Sequence, residues 1–443
     1  MRIPSIPGFD QQAFEKYFKN TGWLMMARVG GLAIKVLITN FALSNYLGPD
    51  KFGILNYPMA IVVFFMAAAA LGLDGFTTRE LLNHPEKKET ILGTSFWMRL
   101  MAGLATLPLV YIAYNVINHQ KQLDTPLNYV LIVALVSVIQ SINIIDSYFQ
   151  SKVQGKYIMY VQVMGNILSA LIKLVFILLK LPLIWFIWSL VFDAVLIAAG
   201  YVICYLKTSN SLLNWKYNSQ IARQLLTHSW PLAFSAILVS LYMKIDQVMI
   251  PIYLKTSDLG VYSTVASLSE SWYFIPVAIV TSVFPAIIHA RKTDGVRYQA
   301  RLQNMYDLMV IISLSVALVM SFGSSIIYHI AYKPEFWSGS TVLAVHVWAG
   351  IFVFLGSASG QYLIAEGYTK LAMLRTGVGA LVNIVLNIFL LPAYGILGAA
   401  YATLAAYFIA TFFIVLIPKT RQQGLMMFKS LFLISLFQKI IRR

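Results

Sequence analysis

Long apolar segments follow one another along the whole chain, with only short polar stretches between them. A helix needs roughly 20 residues to cross roughly 30 Å of hydrocarbon, at about 1.5 Å per residue. Twelve segments are long enough, and they are 21–46, 52–74, 92–117, 127–150, 157–180, 182–206, 228–253, 259–289, 303–331, 339–364, 371–391 and 396–418. The pattern predicts an all-α integral membrane protein with twelve transmembrane helices.

Composition supports this prediction. Of the 443 residues, 59% are hydrophobic and 11% are charged, which excludes a soluble domain of this size. Residues 1–20 contain no apolar core region, so we expect the first span, and not a cleavable signal peptide, to direct insertion. The one cysteine, Cys204, excludes an internal disulfide.

Basic residues are unevenly divided between the loops. Most of the 33 Lys and Arg residues fall in loops on the same side as the N-terminus. The positive-inside rule therefore predicts that both termini are cytoplasmic. We attribute the net charge of +16 to contact with an anionic leaflet, and expect no nucleic-acid partner.

The two halves of the chain share a weak repeat. The stretch 46–54 (YLGPDKFGI) matches the stretch 253–261 (YLKTSDLGV) at an offset of 207 residues. Glycine and lysine before the fifth and eleventh spans, and a proline after each, Pro182 and Pro392, recur at similar offsets. A unit of six spans keeps its orientation when it is duplicated, so the repeat predicts two parallel, pseudo-symmetric six-helix lobes.

We place these lobes at 1–206 and 228–418. The polar stretch 207–227 between them is predicted to be a cytoplasmic linker. The tail 419–443 is basic, and we expect it to form an amphipathic helix on the inner leaflet.

Several charged residues fall inside the predicted spans, where each costs roughly 2.5 to 3.5 kcal/mol at a helix centre and therefore usually faces a cavity or a partner. They include Arg28, Lys35, Lys173, Asp193, Lys244, Asp246 and Glu270. Arg28 and Lys35 are seven residues apart and share one face of the first helix. Their functional interpretation is a cationic wall for an anionic substrate; the alternatives are snorkelling for Arg28 and a salt bridge for Lys35.

The acidic and basic residues of the seventh and eighth spans have two interpretations. Lys244 and Asp246 lie on different faces of one helix, so each either pairs with a neighbouring helix or acts in transport. In the second case Lys244 contacts substrate and Asp246 serves as a gate or coupling acid. Glu270 is expected to be an unpaired carboxylate able to exchange a proton or a sodium ion.

Lys173 and Asp193 are predicted at similar depths on adjacent antiparallel helices, roughly 24 and 20 Å from the cytoplasmic side, and so form a structural ion pair. Asp74 and Asp146 lie near predicted cytoplasmic helix ends. For these two, helix capping, snorkelling and a salt bridge that gates transport remain alternatives. Both are candidates for gating or ion coupling.

Other classes of protein are disfavoured by what the sequence lacks. It has no Walker-type glycine loop, so this chain is not expected to hydrolyse ATP. The six histidines are scattered without metal-ligand spacing, and no large loop between spans could house a catalytic domain. We therefore expect no enzyme, no cofactor and no metal site, with transport driven by a proton or sodium gradient or by the substrate's own gradient.

Several stretches resemble the polysaccharide flippases of the Wzx type, over residues 20–420. They are YLGPDKFG (46–53), LGLDG (71–75) with Arg79-Glu80, YFQ (148–150) before GKY (155–157), IDQVMI (245–250), LSESWYFIP (268–276), FP (284–285) and NIVLNIFLLPAYGILGAAYAT (383–403). Those flippases belong to the multidrug/oligosaccharidyl-lipid/polysaccharide exporter (MOP) superfamily. Lipid II flippases of this superfamily resemble the chain less, because they usually add two further helices.

The resemblance implies a MATE-like fold of two lobes around a central cavity, in a bacterial inner membrane. It implies transport of undecaprenyl-diphosphate-linked oligosaccharide repeat units of O-antigen, capsule or a related glycan to the periplasmic leaflet, by alternating access. The polymerase and chain-length machinery, and membrane lipids, are the implied partners. The family's cavity is lined chiefly by helices 1, 2, 7 and 8, which carry Arg28, Lys35, Lys244, Asp246 and Glu270 here. Asp74 and Asp146 match acidic positions that recur in the family.

Two alternatives remain on the same sequence. An ion-coupled multidrug antiporter of this fold would have a cavity dominated by carboxylates, against which Lys35, Lys173 and Lys244 count. A membrane-embedded polymerase or ligase of the same glycans would need a large periplasmic loop, and the longest predicted one, 118–126, is short.

Overall fold

A computed structural model describes residues 22–23, 30 and 35–441. All regular secondary structure in these residues is helical, which confirms the predicted all-α class. A π-helical segment, Lys35–Leu43, precedes the first helix, and short 3-10 turns occur at Pro85–Lys87, Gln140–Ile144, Pro334–Phe336 and Phe413–Leu416. The α-helices are α1 Ser44–Ala69, α2 Leu73–Asn83, α3 Lys88–Gln120, α4 Leu127–Ile139, α5 Ile145–Ser151, α6 Gly155–Leu178, α7 Leu183–Lys207, α8 Ser219–Tyr253, α9 Thr256–Glu270, α10 Phe274–Thr293, α11 Gly295–Ala331, α12 Gly339–His346, α13 Ala349–Ala365, α14 Thr369–Tyr394, α15 Ile396–Phe412, α16 Arg421–Leu431 and α17 Ile434–Ile441.

Within the described residues, 11 helical segments are long and apolar enough to cross a membrane. The first of them, Asn40–Asn83, runs through the loop predicted between the first two spans. Of the predicted span 21–46, residues 21, 24–29 and 31–34 lie outside the described residues. The remaining ten segments match the third to twelfth predicted spans. The twelve-helix prediction is therefore approximately consistent with the structure.

The helices present apolar side chains outward, as a lipid environment requires. On α11, Val319, Phe322, Ile326 and Ile330 are 62% to 82% exposed and recur at i, i+3, i+7 and i+11, which places them on one helix face. A contiguous apolar face of this kind is unfavourable in water and favourable in hydrocarbon. The exposed surface confirms a multi-pass membrane protein.

Two compact units make up the chain. Unit 1 contains the described residues up to Leu47 and Ile54–Ser240, and unit 2 contains Gly48–Gly53 and Leu241–Arg443. The division between them falls inside α8, after the predicted start of the second lobe at residue 228. The first part of α8 packs in unit 1, where the rings of His228 and Phe76 lie 6.0 Å apart.

The predicted linker is shorter than expected. Helix α8 begins at Ser219, so residues 219–227 are helical and only 208–218 connect α7 to it. The Asn218 side chain accounts for this start, because its Oδ1 accepts hydrogen bonds from the backbone N–H groups of Gln220 (2.9 Å) and Ile221 (3.0 Å). Asparagine in this position satisfies helix donors that would otherwise lack partners.

The basic tail is helical, and it is held by more than amphipathic contact. Gln423 Nε2 donates to the hydroxyl of Tyr306 at 2.6 Å, and Ser430 Oγ donates to Asp307 Oδ1 at 2.6 Å. Gln423 and Ser430 are buried against α11. These side chains anchor α16 to α11, and its predicted place on the inner leaflet stays a prediction.

The repeat predicted from the sequence reappears as a reciprocal backbone contact in unit 2. A Cβ atom added at Gly53 would collide with the backbone of Thr256, and one added at Gly260 would collide with the backbone of Pro49. Both pairs obey the offset of 207 residues, since Pro49 corresponds to Thr256 and Gly53 to Gly260. Two helices can approach this closely only where small residues remove the side chains between them.

Buried charges inside unit 1 include the pair predicted on the fifth and sixth spans. Lys173 Nζ donates to Asp193 Oδ2 at 2.6 Å and to Ser169 Oγ at 2.9 Å, joining α6 to α7. The lysine side chain is 7% exposed and the aspartate side chain 31%. The two groups therefore meet where the sequence places them, with the ammonium much the deeper of the two.

Alanine at either glycine should destabilise the protein. We expect Gly53→Ala and Gly260→Ala each to cost about 1 to 3 kcal/mol, because the added methyl group overlaps backbone atoms that cannot rotate away. Apparent Tm of the purified protein in detergent measures this. Gly323→Ala in α11 is the control, since a Cβ there meets only Ile327 Cδ1 at 3.9 Å. Equal Tm values for all three variants would contradict a close contact.

Loss of the aspartate from the ion pair between α6 and α7 should destabilise the protein more than loss of the lysine. Asp193→Leu leaves the nearly buried ammonium of Lys173 uncompensated. The resulting loss of stability should approach roughly 3 to 5 kcal/mol, as for other buried ion pairs that lose one partner. Lys173→Met should cost less, because the Asp193 side chain is 31% exposed and lines a cavity. The double variant should recover most of the stability in Tm measurements. If the double variant is no more stable than Asp193→Leu, the pair is not the reason for the loss.

Candidate functional site

The two predicted cations of the first span lie largely outside what the structure describes. Arg28 is outside the described residues. Lys35 begins the π-helical segment, and its backbone alone is described. The cationic wall formed by this pair therefore stays a prediction.

Unit 2 contains an ion pair at the end of α9. Lys244 Nζ, on α8, donates to both carboxylate oxygens of Glu270, at 2.9 and 2.7 Å. The side chains are 28% and 21% exposed, so a ligand can reach this ammonium more readily than that of Lys173. The expectation that Glu270 is unpaired is therefore wrong, because the rotation of α8 turns Lys244 toward it.

Aromatic and amide contacts fix that rotation of α8. The ring of Tyr242 stacks on Tyr407 with centroids 4.1 Å apart. Asn383 Nδ2 of α14 donates to the backbone carbonyl of Tyr242 at 3.2 Å. These contacts hold the backbone two residues before Lys244 against α14 and α15, so the direction of the lysine is set by packing.

Asp246 is held in the interior of unit 2 by neutral donors. Its Oδ1 accepts the Gln247 backbone N–H at 2.8 Å, and its Oδ2 accepts the hydroxyls of Tyr262 and, at 3.4 Å, Thr403. No Lys or Arg among the described residues forms an ion pair with it. Both carboxylate oxygens of Asp246 therefore have uncharged hydrogen-bond donors, and its role in gating or ion coupling stays a prediction.

Four residues that the sequence did not single out, Tyr262, Ser269, His346 and Thr403, extend this site. His346 is buried at the end of α12, and its Nδ1 lies 2.9 Å from Ser269 Oγ, next to Glu270. Its ring meets the edge of Tyr262 at 5.7 Å between centroids. We define the unit 2 polar cluster as Lys244, Asp246, Tyr262, Ser269, Glu270, His346 and Thr403. Its members come from α8, α9, α12 and α15. Their spacing along the sequence therefore does not predict that they lie together.

Arg375 lies inside α14, within the eleventh predicted span. Its Nη1 donates to Ser359 Oγ at 2.9 Å and its Nη2 to the Gly356 carbonyl at 3.1 Å, both on α13. Among the described residues no carboxylate pairs with it. The guanidinium joins two helices and adds a second cation to the interior of unit 2.

Asp74 and Asp146 line one cavity in unit 1. Arg99 Nη2 donates to Asp74 Oδ1 at 2.5 Å, while Asp146 Oδ2 accepts Gln150 Nε2 at 3.0 Å. The cavity has a volume of about 290 Å³. Of the alternatives considered for Asp74, the structure shows a salt bridge. In the described part of the chain, no group of three or more His, Cys, Asp or Glu residues is arranged to hold a metal ion.

Models of two protein families match the chain. The family described as "Polysaccharide biosynthesis protein" matches residues 17–291, more than half of the sequence. The MatE family matches residues 231–389.

Relatives of this chain carry descriptions from glycan assembly. The capsular polysaccharide biosynthesis protein CapF of Staphylococcus aureus is 20% identical over 402 residues, which are 88% of this chain and 96% of CapF. Agl15 of Haloferax volcanii, described as a probable low-salt glycan biosynthesis flippase, is 25% identical over 46% of this chain and 43% of Agl15. AglR of the same organism, described as a probable flippase, is 29% identical over 37% of this chain and 35% of AglR. The matches span less than half the length of these two archaeal relatives.

Solved structures share the fold. An inward-facing multidrug resistance MATE family transporter of the MOP superfamily has a TM-score of 0.75 at 12% identity, covering 93% of this chain and 99% of that one. The lipid II flippase MurJ in an inward closed conformation has a TM-score of 0.70 at 17% identity, covering 95% of this chain and 93% of MurJ. At these identities the likeness concerns the fold alone. The chain therefore belongs to the polysaccharide biosynthesis protein family and shares the fold of the MATE transporters and of MurJ.

Proposed function

We propose that this protein moves oligosaccharide repeat units linked to undecaprenyl diphosphate from the cytoplasmic to the periplasmic leaflet of a bacterial inner membrane, by alternating access. Both termini are cytoplasmic in this proposal. The repeat units serve a surface polysaccharide such as O-antigen or capsule, and pass to the polymerase and chain-length machinery. The observation that carries the proposal is the family match over residues 17–291. Relatives described as flippases support it.

In this proposal, the ion pair of Lys244 and Glu270 is the place where the diphosphate of the substrate binds. A diphosphate needs cationic donors, and a lysine ammonium forms strong charge-assisted hydrogen bonds to phosphate oxygens. The pair is partly exposed, so a diphosphate can replace Glu270 as the partner of Lys244. Arg28 and Lys35 are the predicted additional donors, and the prenyl tail remains in lipid.

The same exchange gives the protein a way to use an ion gradient. When the diphosphate binds Lys244, Glu270 loses its compensating charge in a region of low dielectric, where an uncompensated carboxylate is unfavourable. A proton or a sodium ion then neutralises Glu270, with Asp246 as the second candidate carboxylate. Binding of the anionic substrate and uptake of a cation are thereby linked.

A multidrug antiporter is the second candidate function. The observation that favours it is Asp246, a carboxylate surrounded by neutral donors, which suits exchange of a proton for a cationic compound. Gene deletion distinguishes the two. The flippase proposal expects loss of surface polysaccharide and accumulation of lipid-linked repeat units at the cytoplasmic face. Intact polysaccharide together with sensitivity to cationic drugs would favour the antiporter.

Substitution of the lysines should impair export without loss of protein. We expect Lys244→Ala and Lys35→Ala each to reduce surface polysaccharide strongly, at near-normal protein level in the membrane, because each removes a diphosphate donor. Lys255→Ala is the matched control, since Lys255 lies beyond the end of α8. Export at the wild-type level in both single variants would remove the two lysines as substrate contacts.

A double variant separates substrate binding from ion pairing. Lys244→Ala/Glu270→Gln removes both charges and leaves no uncompensated carboxylate. If Lys244 binds substrate, the double variant stays inactive. Recovery of export in the double variant would show that Lys244 serves only to neutralise Glu270.

Asp246 should be tested by removing its charge and keeping its shape. We expect Asp246→Asn to retain downhill flipping of a fluorescent lipid-linked oligosaccharide in proteoliposomes and to lose the additional transport driven by a pH or sodium gradient. Thr403→Val, which removes one hydroxyl donor and leaves the carboxylate, should keep the gradient effect. A gradient response in Asp246→Asn equal to that of the wild type would exclude this aspartate from coupling.

A further inference from the structure

A groove of about 440 Å³ lies in unit 2, where the first turns of α11 meet the tail helices α16 and α17. We name it the tail groove. Its polar lining consists of Gln299 and Gln303 on α11 and of Gln422 and Lys429 on α16. The other residues that line it are apolar, so among the described lining residues only Lys429 is charged.

Hydrogen bonds between α11 and the tail fix the walls of the tail groove. Gln303 Nε2 donates to the Met426 carbonyl at 3.1 Å and to Ser430 Oγ at 2.7 Å. The hydroxyls of Ser430 and Ser435 donate to Asp307, a buried carboxylate that does not line the groove. Because the chain's own contacts hold these walls, a ligand does not have to order them, which favours binding.

The polar lining of the groove has donors to spare. Lys429 is exposed and forms no ion pair or hydrogen bond with any described residue. The side chains of Gln299 and Gln422 likewise make no hydrogen bond within the described part of the chain. One ammonium and two primary amides can therefore donate to an added group. The acceptor that an ammonium binds most strongly is an anionic oxygen.

Apolar side chains of the same groove are exposed. Leu425, Phe432 and Ile434 are 47%, 65% and 43% exposed. The ring of Phe432 lies nearly parallel to that of Phe428 at 6.5 Å between centroids, and Phe428 stacks on Phe412 of α15 at 4.0 Å. This aromatic row gives the groove an apolar wall of fixed position, which is unfavourable against water and favourable against a hydrocarbon chain.

The groove lies where α11 changes from charged to apolar. Arg297 and Arg301 belong to the same turns as the two glutamines, whereas residues 308–331 contain no Asp, Glu, Lys or Arg. On a spanning helix such a change marks the boundary between lipid headgroups and hydrocarbon. A lipid at this level has its headgroup near the polar lining and its chains near the apolar lining.

The charge of the tail selects among lipids. Residues 419–443 contain six Lys and Arg residues and no Asp or Glu. A basic residue near a membrane surface adds about 1 kcal/mol of attraction to anionic lipid. A zwitterionic lipid brings its own cation into this basic region, and a soluble phosphate leaves the exposed Leu425 and Phe432 in water. An anionic phospholipid matches both the polar and the apolar lining.

We propose that the tail groove binds one anionic phospholipid of the surrounding membrane. The phosphate accepts hydrogen bonds from Lys429 and from the amides of Gln299 and Gln422, and an acyl chain lies along Phe428 and Phe432. The bound lipid joins the tail to α11 and to the bilayer. This site is additional to the diphosphate site proposed at the lysine of α8, and it does not depend on which substrate is transported.

Native mass spectrometry of the full chain in detergent tests this proposal. The delipidated protein is titrated with phosphatidylglycerol, with phosphatidylcholine of the same acyl chains, with glycerol 3-phosphate and with undecaprenyl diphosphate. We expect one phosphatidylglycerol to bind more tightly than any further copies and to raise Tm. Phosphatidylcholine should bind more weakly, and glycerol 3-phosphate should not compete.

Matched substitutions place the lipid in the groove. We expect Lys429→Gln to weaken binding of the first phosphatidylglycerol by roughly tenfold, about 1.4 kcal/mol, because it removes the charge-assisted donor. Arg421→Gln is the control, since it removes one exposed charge from the same helix outside the groove. Phe432→Ser should also weaken binding, with Leu416→Ser as its control, because Leu416 is 79% exposed and does not line the groove. Tm without added lipid shows that the variants are folded.

Equal losses in Lys429→Gln and Arg421→Gln would overturn the proposal, because they indicate diffuse attraction to a basic tail. Wild-type affinity in Lys429→Gln would overturn it as well. Phosphatidylcholine that binds as tightly as phosphatidylglycerol would leave an unselective apolar surface, and displacement by glycerol 3-phosphate would indicate a site for soluble phosphate.

Two further results would assign the groove to another occupant and so overturn the proposal. One is tighter binding of undecaprenyl diphosphate than of phosphatidylglycerol, lost in Lys429→Gln, which would make the groove a substrate site. The other is a dimer that Phe432→Ser dissociates, which would make it an interface between two copies of this chain. Losses confined to Lys429→Gln and Phe432→Ser sustain the lipid site, even in a protein that fails to flip a lipid-linked glycan.

Discussion

The interior of a membrane-spanning bundle offers almost no water, so each ionised side chain there needs a compensating group within its own reach. Unit 1 meets this constraint with the pairs Lys173–Asp193 and Arg99–Asp74. Unit 2 meets it with Lys244–Glu270, while Asp246 depends on hydroxyl and amide donors. The constraint also identifies the groups that can change partner. The side chain of Lys173 is 7% exposed, whereas that of Lys244 is 28% exposed, as the proposed exchange of Glu270 for a diphosphate requires.

Breaks in the helices decide where the polar groups gather. The fourth span breaks at Gln140–Ile144, the eighth after Glu270, and the tenth after His346. Non-helical backbone at membrane depth is tolerated where protein groups or a cavity satisfy it. Each of these three breaks accordingly lies beside polar side chains, one at the unit 1 cavity that Asp74 and Asp146 line and two in the unit 2 polar cluster. The polar chemistry of this protein is therefore concentrated where its helices stop being regular.

Some of the site was predictable from depth along the helices. Lys173 and Asp193 lie at similar depths on neighbouring antiparallel helices, and the structure brings them together. The same argument places Lys244 and Glu270 at about 24 and 28 Å from the cytoplasmic side of their predicted spans. These similar depths in the sequence already indicated that the two residues could form a pair. Depth along a helix does not determine how the helix is rotated about its own axis. Lys244 and Asp246 are two residues apart, and only the packing of Tyr242 against α14 and α15 decides which of them meets Glu270.

The sequence by itself determined the all-α class, the positions of nearly all spans and the internal repeat. It could do so because hydrocarbon selects long apolar helices, and because duplication leaves a fixed offset that Gly53 and Gly260 still show as a reciprocal contact. The tertiary structure alone decided the partners of Glu270 and Asp246, the place of His346 and Arg375 among the buried polar residues, and the unit 1 cavity lined by Asp74 and Asp146. Those features depend on helix rotation and on short changes of helix type, which arise from contacts between residues far apart in the chain.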